Sequence, residues 1–360
     1  MKSRHSTLSA FHLLPALTLS LILAGCGGGG ANDHQANMAH QLRPAQKTSS
    51  ANAQYEDLVQ KLYVSFFGRP ADPSGLANFE AALAAANAPP DAQSLLQIYN
   101  SKTNPAVNQL VDSFGTSAES QALYGNGTTL QFVQAIFNNV LDRQPLPAGQ
   151  TFWVNAIDSG SVTRGSASLQ IMAGALANTS AQGLLDAQLI TNRISVAETF
   201  TTDLQTAAEL RGYKGAAAAQ TARNMLAAVT ATTNLSSYAT TIDATAQSLS
   251  RFLIGGSLSG LASGESVILL DNGGDALTLT ANGTYDFATP LLNANSFNVT
   301  VGTQPIGELC AVSGGSGQVV SDVTFANVSC HFPYAYAINL SGNSISQYAL
   351  QANGSLSIFS

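Results

Sequence analysis

The spacing of apolar residues along this chain changes near residue 253. From residue 55 to residue 253, apolar side chains recur every three or four positions, as in Leu58 and Leu62, and this is the period of an amphipathic helix. Beyond that point, short alternating runs are separated by the turn sequences Asn272-Gly273 and Asn282-Gly283, which favour antiparallel strands. The sequence therefore predicts a multidomain fold, an all-α helical domain followed by a small antiparallel β-sandwich.

The helical region contains an internal repeat. Sliding the chain against itself by 74 positions places residues 58–69 on residues 132–143, so that Arg69 aligns with Arg143. We interpret this as two copies of one helix–turn–helix unit, at about 55–85 and 129–159.

The turn of the first copy carries residues that end one helix and begin the next. Asp72 stands directly before Pro73, which predicts a side-chain cap on a helix whose first residue is proline. Arg69 and Arg143 are expected to bind carbonyl groups at the end of the preceding helix. The second copy has Leu146 in place of Asp72, which argues against a calcium site shared by both turns.

These motifs resemble a known helical module. Three segments are similar to the DUF4214 domain, a module of unknown function in bacterial surface-layer-associated, adhesin-like and secreted multidomain proteins. They are residues 63–76 (YVSFFGRPADPSGL), more loosely residues 139–157, and a closing segment at 190–200. The resemblance covers roughly residues 55–250. It implies a helical fold and supplies no catalytic residues.

Aromatic side chains are frequent in both copies and have two interpretations. They could form a platform on which sugars stack, but at helical spacing aromatic residues are usually core, and we predict the core. The residues are Tyr63, Phe66, Phe67, Phe79, Phe132, Phe137, Phe152 and Trp153.

The amino terminus has the features of an export signal. Two basic residues precede an apolar run at 13–23, and Leu23-Ala24-Gly25-Cys26 follows; the run is too short for a permanent membrane span. The last four residues resemble the lipobox of bacterial lipoproteins, which implies lipidation of Cys26 and a membrane partner reached through that lipid. The alternative is an ordinary secretory cleavage site. In such lipoproteins, an aspartate directly after the cysteine retains the protein at the inner membrane. Gly27 stands at this position here, which implies a location at the outer membrane, on its periplasmic or surface-exposed face.

The carboxyl-terminal region contains the other two cysteines. Residues 304–310 (QPIGELC) resemble a motif of Ig-like modules that recur in envelope lipoproteins. Once Cys26 is acylated, Cys310 and Cys330 are the only possible intramolecular partners in an oxidising compartment, so we predict a disulfide between them. Strand pairing or packing across the sandwich could bring them together, and two buried free thiols are the alternative. Residues 332–360 resemble the start of a lactonase-like or surface-repeat β-propeller blade, or form an extra hairpin.

Charge and composition narrow the classes of partner. The chain has 14 Lys and Arg against 21 Asp and Glu, a formal net charge of −7, so nucleic acid is not an expected partner. Arg251 is the last basic residue, yet the acidic residues that follow lack the Asp-x-Asp-x-Asp spacing of a calcium loop. Beyond residue 26, the histidines are His34, His40 and His331, and the sequence has no nucleophile, phosphate-loop or zinc motif. We predict no enzyme activity, no cofactor and no metal site.

Together these observations predict a non-catalytic cell-envelope lipoprotein that acts as a surface binding, adhesion or spacer module, with a surface glycan or an envelope protein as its partner. The alternative is a truncated member of a family whose missing propeller carries lactonase-like activity or glycan binding. The predicted segments are a signal peptide (1–25), a lipidated cysteine and linker (26–52), a DUF4214-like domain (53–252), an Ig-like sandwich (253–331) and the partial blade or hairpin (332–360).

Overall fold

The computed structural model of the protein describes residues 52–350 and 355–359. Cys26, the predicted signal peptide and residues 27–51 lie outside the described residues. Among those that are described, helices occupy the chain up to residue 249 and strands begin at residue 251. Within the described residues, no helix has the length and apolar character needed to cross a membrane.

The first part of the described chain consists of helices, which follow a single 3-10 turn at Ala53–Tyr55. The α-helices are α1 (Glu56–Phe67), α2 (Pro73–Ala85), α3 (Ala92–Ser101), α4 (Pro105–Thr116), α5 (Ala118–Tyr124), α6 (Thr129–Leu141), α7 (Pro147–Asp158), α8 (Arg164–Ala177), α9 (Ala181–Asp203), α10 (Ala207–Gly212), α11 (Gly215–Ala227) and α12 (Leu235–Leu249).

Side-chain caps set the starts of most of these helices, with α1, α7 and α11 as exceptions. The Asp72 carboxylate accepts a hydrogen bond from the Gly75 amide at 2.8 Å, with Pro73 at the first position of α2, which confirms the predicted cap. Thr128 and Gln131 form a reciprocal capping box at the start of α6. Such a cap supplies acceptors to amides that have no partner within the helix.

Aromatic side chains form much of the core between these helices. Of the eight singled out from the sequence, Tyr63, Phe66, Phe67 and Phe132 are buried, and three more pack against the core from partly buried positions. The core interpretation is confirmed for these seven. It is wrong for Phe152, which is 60% exposed because it lies on the outer side of α7, a helix with no buried residue.

The second part of the described chain consists of short strands. They are β1 (Arg251–Phe252), β2 (Gly255–Ser259), β3 (Val267–Asp271), β4 (Asp275–Leu279), β5 (Gly283–Asp286), β6 (Leu291–Leu292), β7 (Ser296–Thr303), β8 (Leu309–Ser313), β9 (Ser316–Gln318), β10 (Asn327–His331), β11 (Tyr334–Asn339), β12 (Ser344–Leu350) and β13 (Leu356–Phe359).

Two four-stranded sheets share one buried apolar cluster. Their strand orders are β4-β3-β7-β9 and β5-β2-β10-β8, and residues such as Val267, Leu269 and Val328 from both sheets belong to that cluster. The fold class, a helical region followed by a small sandwich, is therefore confirmed. One pair departs from the antiparallel expectation, since β2 and β10 run parallel. The chain between them is long enough to make the crossover that a parallel pair requires.

Cys310 and Cys330 lie directly opposite each other on the antiparallel strands β8 and β10. They form a disulfide, with their Cα atoms 3.9 Å apart. Of the two arrangements left open by the sequence, the structure has strand pairing within one sheet, not packing across the sandwich.

The strands β11, β12 and β13 form a separate antiparallel sheet. Within the described chain it shares no strand pairing with the sandwich and contributes no residue to the sandwich core. Several of its apolar side chains are exposed, among them Tyr336, Ile338 and Ile358 at 64%, 71% and 71%.

Candidate binding site

The turn between α1 and α2 presents an arginine to a cavity. Gly68 ends α1 in the left-handed conformation, with φ of 68°, which glycine adopts without strain. A Cβ at Gly75 would lie 2.5 Å from the Tyr63 hydroxyl, so only glycine allows α2 to approach this closely. The chain therefore turns sharply, and Arg69 stands between the two helices.

Arg69 binds a carboxylate from a distant helix. Its Nε and Nη2 donate to the two Glu119 oxygens at 2.7 and 2.6 Å, and its Nη1 donates to the Pro70 carbonyl at 2.8 Å. The expectation that Arg69 binds carbonyls at the end of the preceding helix is wrong. Glu119 on α5 offers a bidentate charged partner, which is a stronger acceptor than a helix-end carbonyl.

The second copy repeats this arrangement with a different acid. Arg143 Nη2 donates to Asp186 Oδ2 at 2.6 Å, and the Asp186 side chain on α9 is 3% exposed. The carbonyl expectation is therefore wrong for Arg143 as well. A cavity of ≈230 Å³ adjoins this pair and is lined in part by Trp153 and Asn178.

A larger cavity of ≈600 Å³ adjoins the Arg69–Glu119 pair. The starts of α2 and α11, together with α5 and α10, enclose it. Its walls include the apolar side chains of Leu123 and Leu210, and Leu210 is 40% exposed. Its charged and aromatic lining residues are Arg69, Asp72, Glu119, Tyr213, Lys214 and Arg223. We name this cavity the α11 pocket.

Three groups at or beside the α11 pocket have shifted pKa values, namely Arg69, Tyr63 and Tyr213. Burial would lower the pKa of Arg69, but its hydrogen bonds to Glu119 and the charge beside it raise the pKa above the usual value. Burial, followed by the charge of Asp72, raises the pKa of Tyr63 to about 12, and burial raises the pKa of Tyr213 further. The α11 pocket combines arginine, lysine and carboxylate side chains and the Tyr213 phenol with apolar walls, which suits a ligand that has both an apolar and a polar face.

Of the residues singled out from the sequence, Arg69 and Asp72 line the α11 pocket, whereas Cys310 and Cys330 do not. The Cys310–Cys330 disulfide belongs to the sandwich, and Cys26 is outside the described residues. Within the part of the chain that the structure describes, no three His, Cys, Asp or Glu side chains are grouped to hold a metal ion. Sequence reasoning missed Glu119 and Arg223, because each belongs to a different helix from the motif and neither stands in a recognisable pattern.

Part of the helical region matches a known protein family. Residues 111–175 match the family described as Domain of unknown function (DUF4214). The matched range begins inside α4 and ends inside α8, so it contains the second helix–turn–helix copy and leaves out the first. Comparisons with curated proteins and with solved structures give no match.

Proposed function

We propose that this protein is a non-catalytic cell-envelope lipoprotein, held at the outer membrane through Cys26, that acts as a surface binding or adhesion module. The lipobox-like residues 23–26 support the anchor. The partner would be a surface glycan or an envelope protein, bound by the helical region and by a sandwich that we propose is Ig-like.

We also propose that the DUF4214-like region extends beyond the matched residues to 53–252. Two observations support this extension. The helix pair α1–α2 recurs as α6–α7, with the left-handed residue Gly68 at the end of α1 and Asp142 at the end of α6. In each copy the turn arginine binds a carboxylate from a later helix.

The observation that carries the binding proposal is the α11 pocket. Its volume of ≈600 Å³ falls within the ~300–1,000 Å³ typical of sites that hold small molecules. Lys214 is exposed at this pocket, so it can bind a ligand without first losing a buried contact.

The test compares two lysine variants of the exported protein in co-sedimentation with isolated peptidoglycan sacculi and with lipopolysaccharide vesicles. We expect Lys214→Gln to weaken co-sedimentation several-fold. Lys102→Gln, which removes an exposed lysine at the end of α3, changes the net charge equally and should leave binding unchanged. If the parent protein sediments with neither material, or if both variants bind as the parent does, the proposed site is wrong.

The exposed sheet β11–β13 favours a second candidate. Its three antiparallel strands are one fewer than a propeller blade contains, and its exposed apolar side chains need neighbouring layers to cover them. In this alternative the sheet belongs to a propeller whose other blades carry lactonase-like activity or glycan binding. Sequencing the DNA that follows the coding region tests it, because blade repeats there would favour it and an unrelated gene would argue against it.

A further inference from the structure

A second cavity lies beside the α11 pocket and contains a buried arginine. The Arg193 side chain on α9 is 3% exposed. Its Nη1 donates to the carbonyls of Asn138 and Asn139, at 3.0 and 2.6 Å, near the end of α6. Arg193 is thus fixed in position by one of its two terminal nitrogens.

The other two nitrogens of this guanidinium form no hydrogen bond that meets the usual geometry. Among the described residues, Nε and Nη2 of Arg193 are buried and have no hydrogen-bond partner. The closest carboxylate is that of Asp142, whose Oδ1 lies 3.4 Å from Nη2. Buried charged donors are normally satisfied, so this group has unused capacity to bind an acceptor.

The cavity that Arg193 lines supplies the complementary surroundings. Its volume is ≈260 Å³, which equals about eight or nine water molecules at ~30 Å³ each. Arg223 provides a second cation, and none of the lining residues is acidic. The polar remainder of the lining is made of amide side chains, from Asn138, Asn139, Gln220 and Asn224.

The carboxylates near the two arginines do not line the cavity. Glu119 lies 3.4 Å from Arg223 Nη1, but it lines the α11 pocket and is already engaged by Arg69. Asp142, beside Arg193, is 47% exposed, so water screens its charge. Gln220 and Asn224 are exposed, and a small solute therefore reaches the cavity from the solvent.

We propose that this cavity is a binding site for one small oxyanion group, a phosphate, sulfate or carboxylate, held between the guanidinium groups of Arg193 and Arg223. Planar guanidinium forks match the geometry of these anions, and the side-chain amides can donate the remaining hydrogen bonds. The same chemistry occurs in free inorganic anions and in the acidic sugars of surface polymers. The proposal does not depend on the lipid anchor or on the α11 pocket.

The test is isothermal titration of the purified protein with inorganic phosphate and, separately, with glucuronate, at constant ionic strength set with sodium chloride. We expect saturable binding of one anion per chain. Arg223→Gln should weaken it at least tenfold, since a hydrogen bond to a charged group is lost. Lys102→Gln removes the same charge away from the cavity and should bind as the parent does. Tighter binding of phosphate would indicate free inorganic anions as the ligand, and tighter binding of glucuronate would indicate acidic sugars.

A spectroscopic readout covers the case in which the variant misfolds. The Nε–H resonance of Arg193, assigned with Arg193→Lys, should shift during the titration and saturate with the same affinity. If neither anion binds saturably to the parent protein, the proposal is wrong. It is equally wrong if Arg223→Gln, folded by circular dichroism, retains the parent affinity, or if the Arg193 resonance does not move.

Discussion

Removing the charge of Glu119 should destabilise the helical region by more than an ordinary surface change does. The Arg69 side chain is 11% exposed and that of Glu119 is 26% exposed, so both charges are largely shielded from water. Breaking a buried pair by removing one partner costs ~3–5 kcal/mol. Glu119→Gln keeps one acceptor oxygen, and Arg69 keeps its bond to Pro70, so we expect a loss of about 3 kcal/mol in the free energy of unfolding.

Urea denaturation followed by the helical circular dichroism signal measures this loss. The matched control is Asp57→Asn, which breaks the pair between Lys61 and Asp57, four residues apart on α1, with the Asp57 side chain 49% exposed. Water screens the exposed Asp57 carboxylate, so a pair of this kind contributes less than ~1 kcal/mol. In the double variant Arg69→Met with Glu119→Gln, the Arg69 cation is removed together with its acid and only Arg223 loses a carboxylate partner, so the cost should be smaller than the sum of the two single costs. If Glu119→Gln costs no more than Asp57→Asn, the reasoning from burial fails.

Three further predictions concern the cysteines and the buried tyrosines. Replacing Cys310 and Cys330 together by serine should lower the free energy of unfolding of the sandwich by about 3 kcal/mol, because the disulfide closes a loop with a sequence separation of 20. Alkylation of both cysteines in denatured, unreduced parent protein would disprove the bridge. Cys26→Ala should abolish partitioning into detergent, and equal partitioning of variant and parent would contradict the lipoprotein proposal. Burial raises the pKa of Tyr63 and of Tyr124 to about 12, from 10.0. As the pH rises, the unfolded chain releases these protons before the folded chain does, so the free energy of unfolding should fall between pH 10 and pH 12. A melting temperature that does not change with pH over that interval would refute this.

The division into helices and strands follows from local sequence, whereas the sheet order does not. The period of apolar residues and the Asn-Gly turns act over a few residues, so they predicted the change from helix to strand near residue 253. The parallel pairing of β2 with β10 joins segments that are about 70 residues apart. No local pattern specifies such a partner, since the pairing depends on how two whole sheets bury one shared core.

The partners of the turn arginines show the same limit at the candidate site. The internal repeat aligns Arg69 with Arg143. Their carboxylate partners are Glu119 and Asp186, which stand 50 and 43 residues further along the chain. Because the two separations differ, no single shift of the sequence aligns both pairs. What the two copies share is a turn arginine paired with a carboxylate, and in each copy the carboxylate comes from whichever later helix packs against the turn. In the first copy the same acid also reaches Arg223, and in this way a structural ion pair comes to lie on the wall of a pocket.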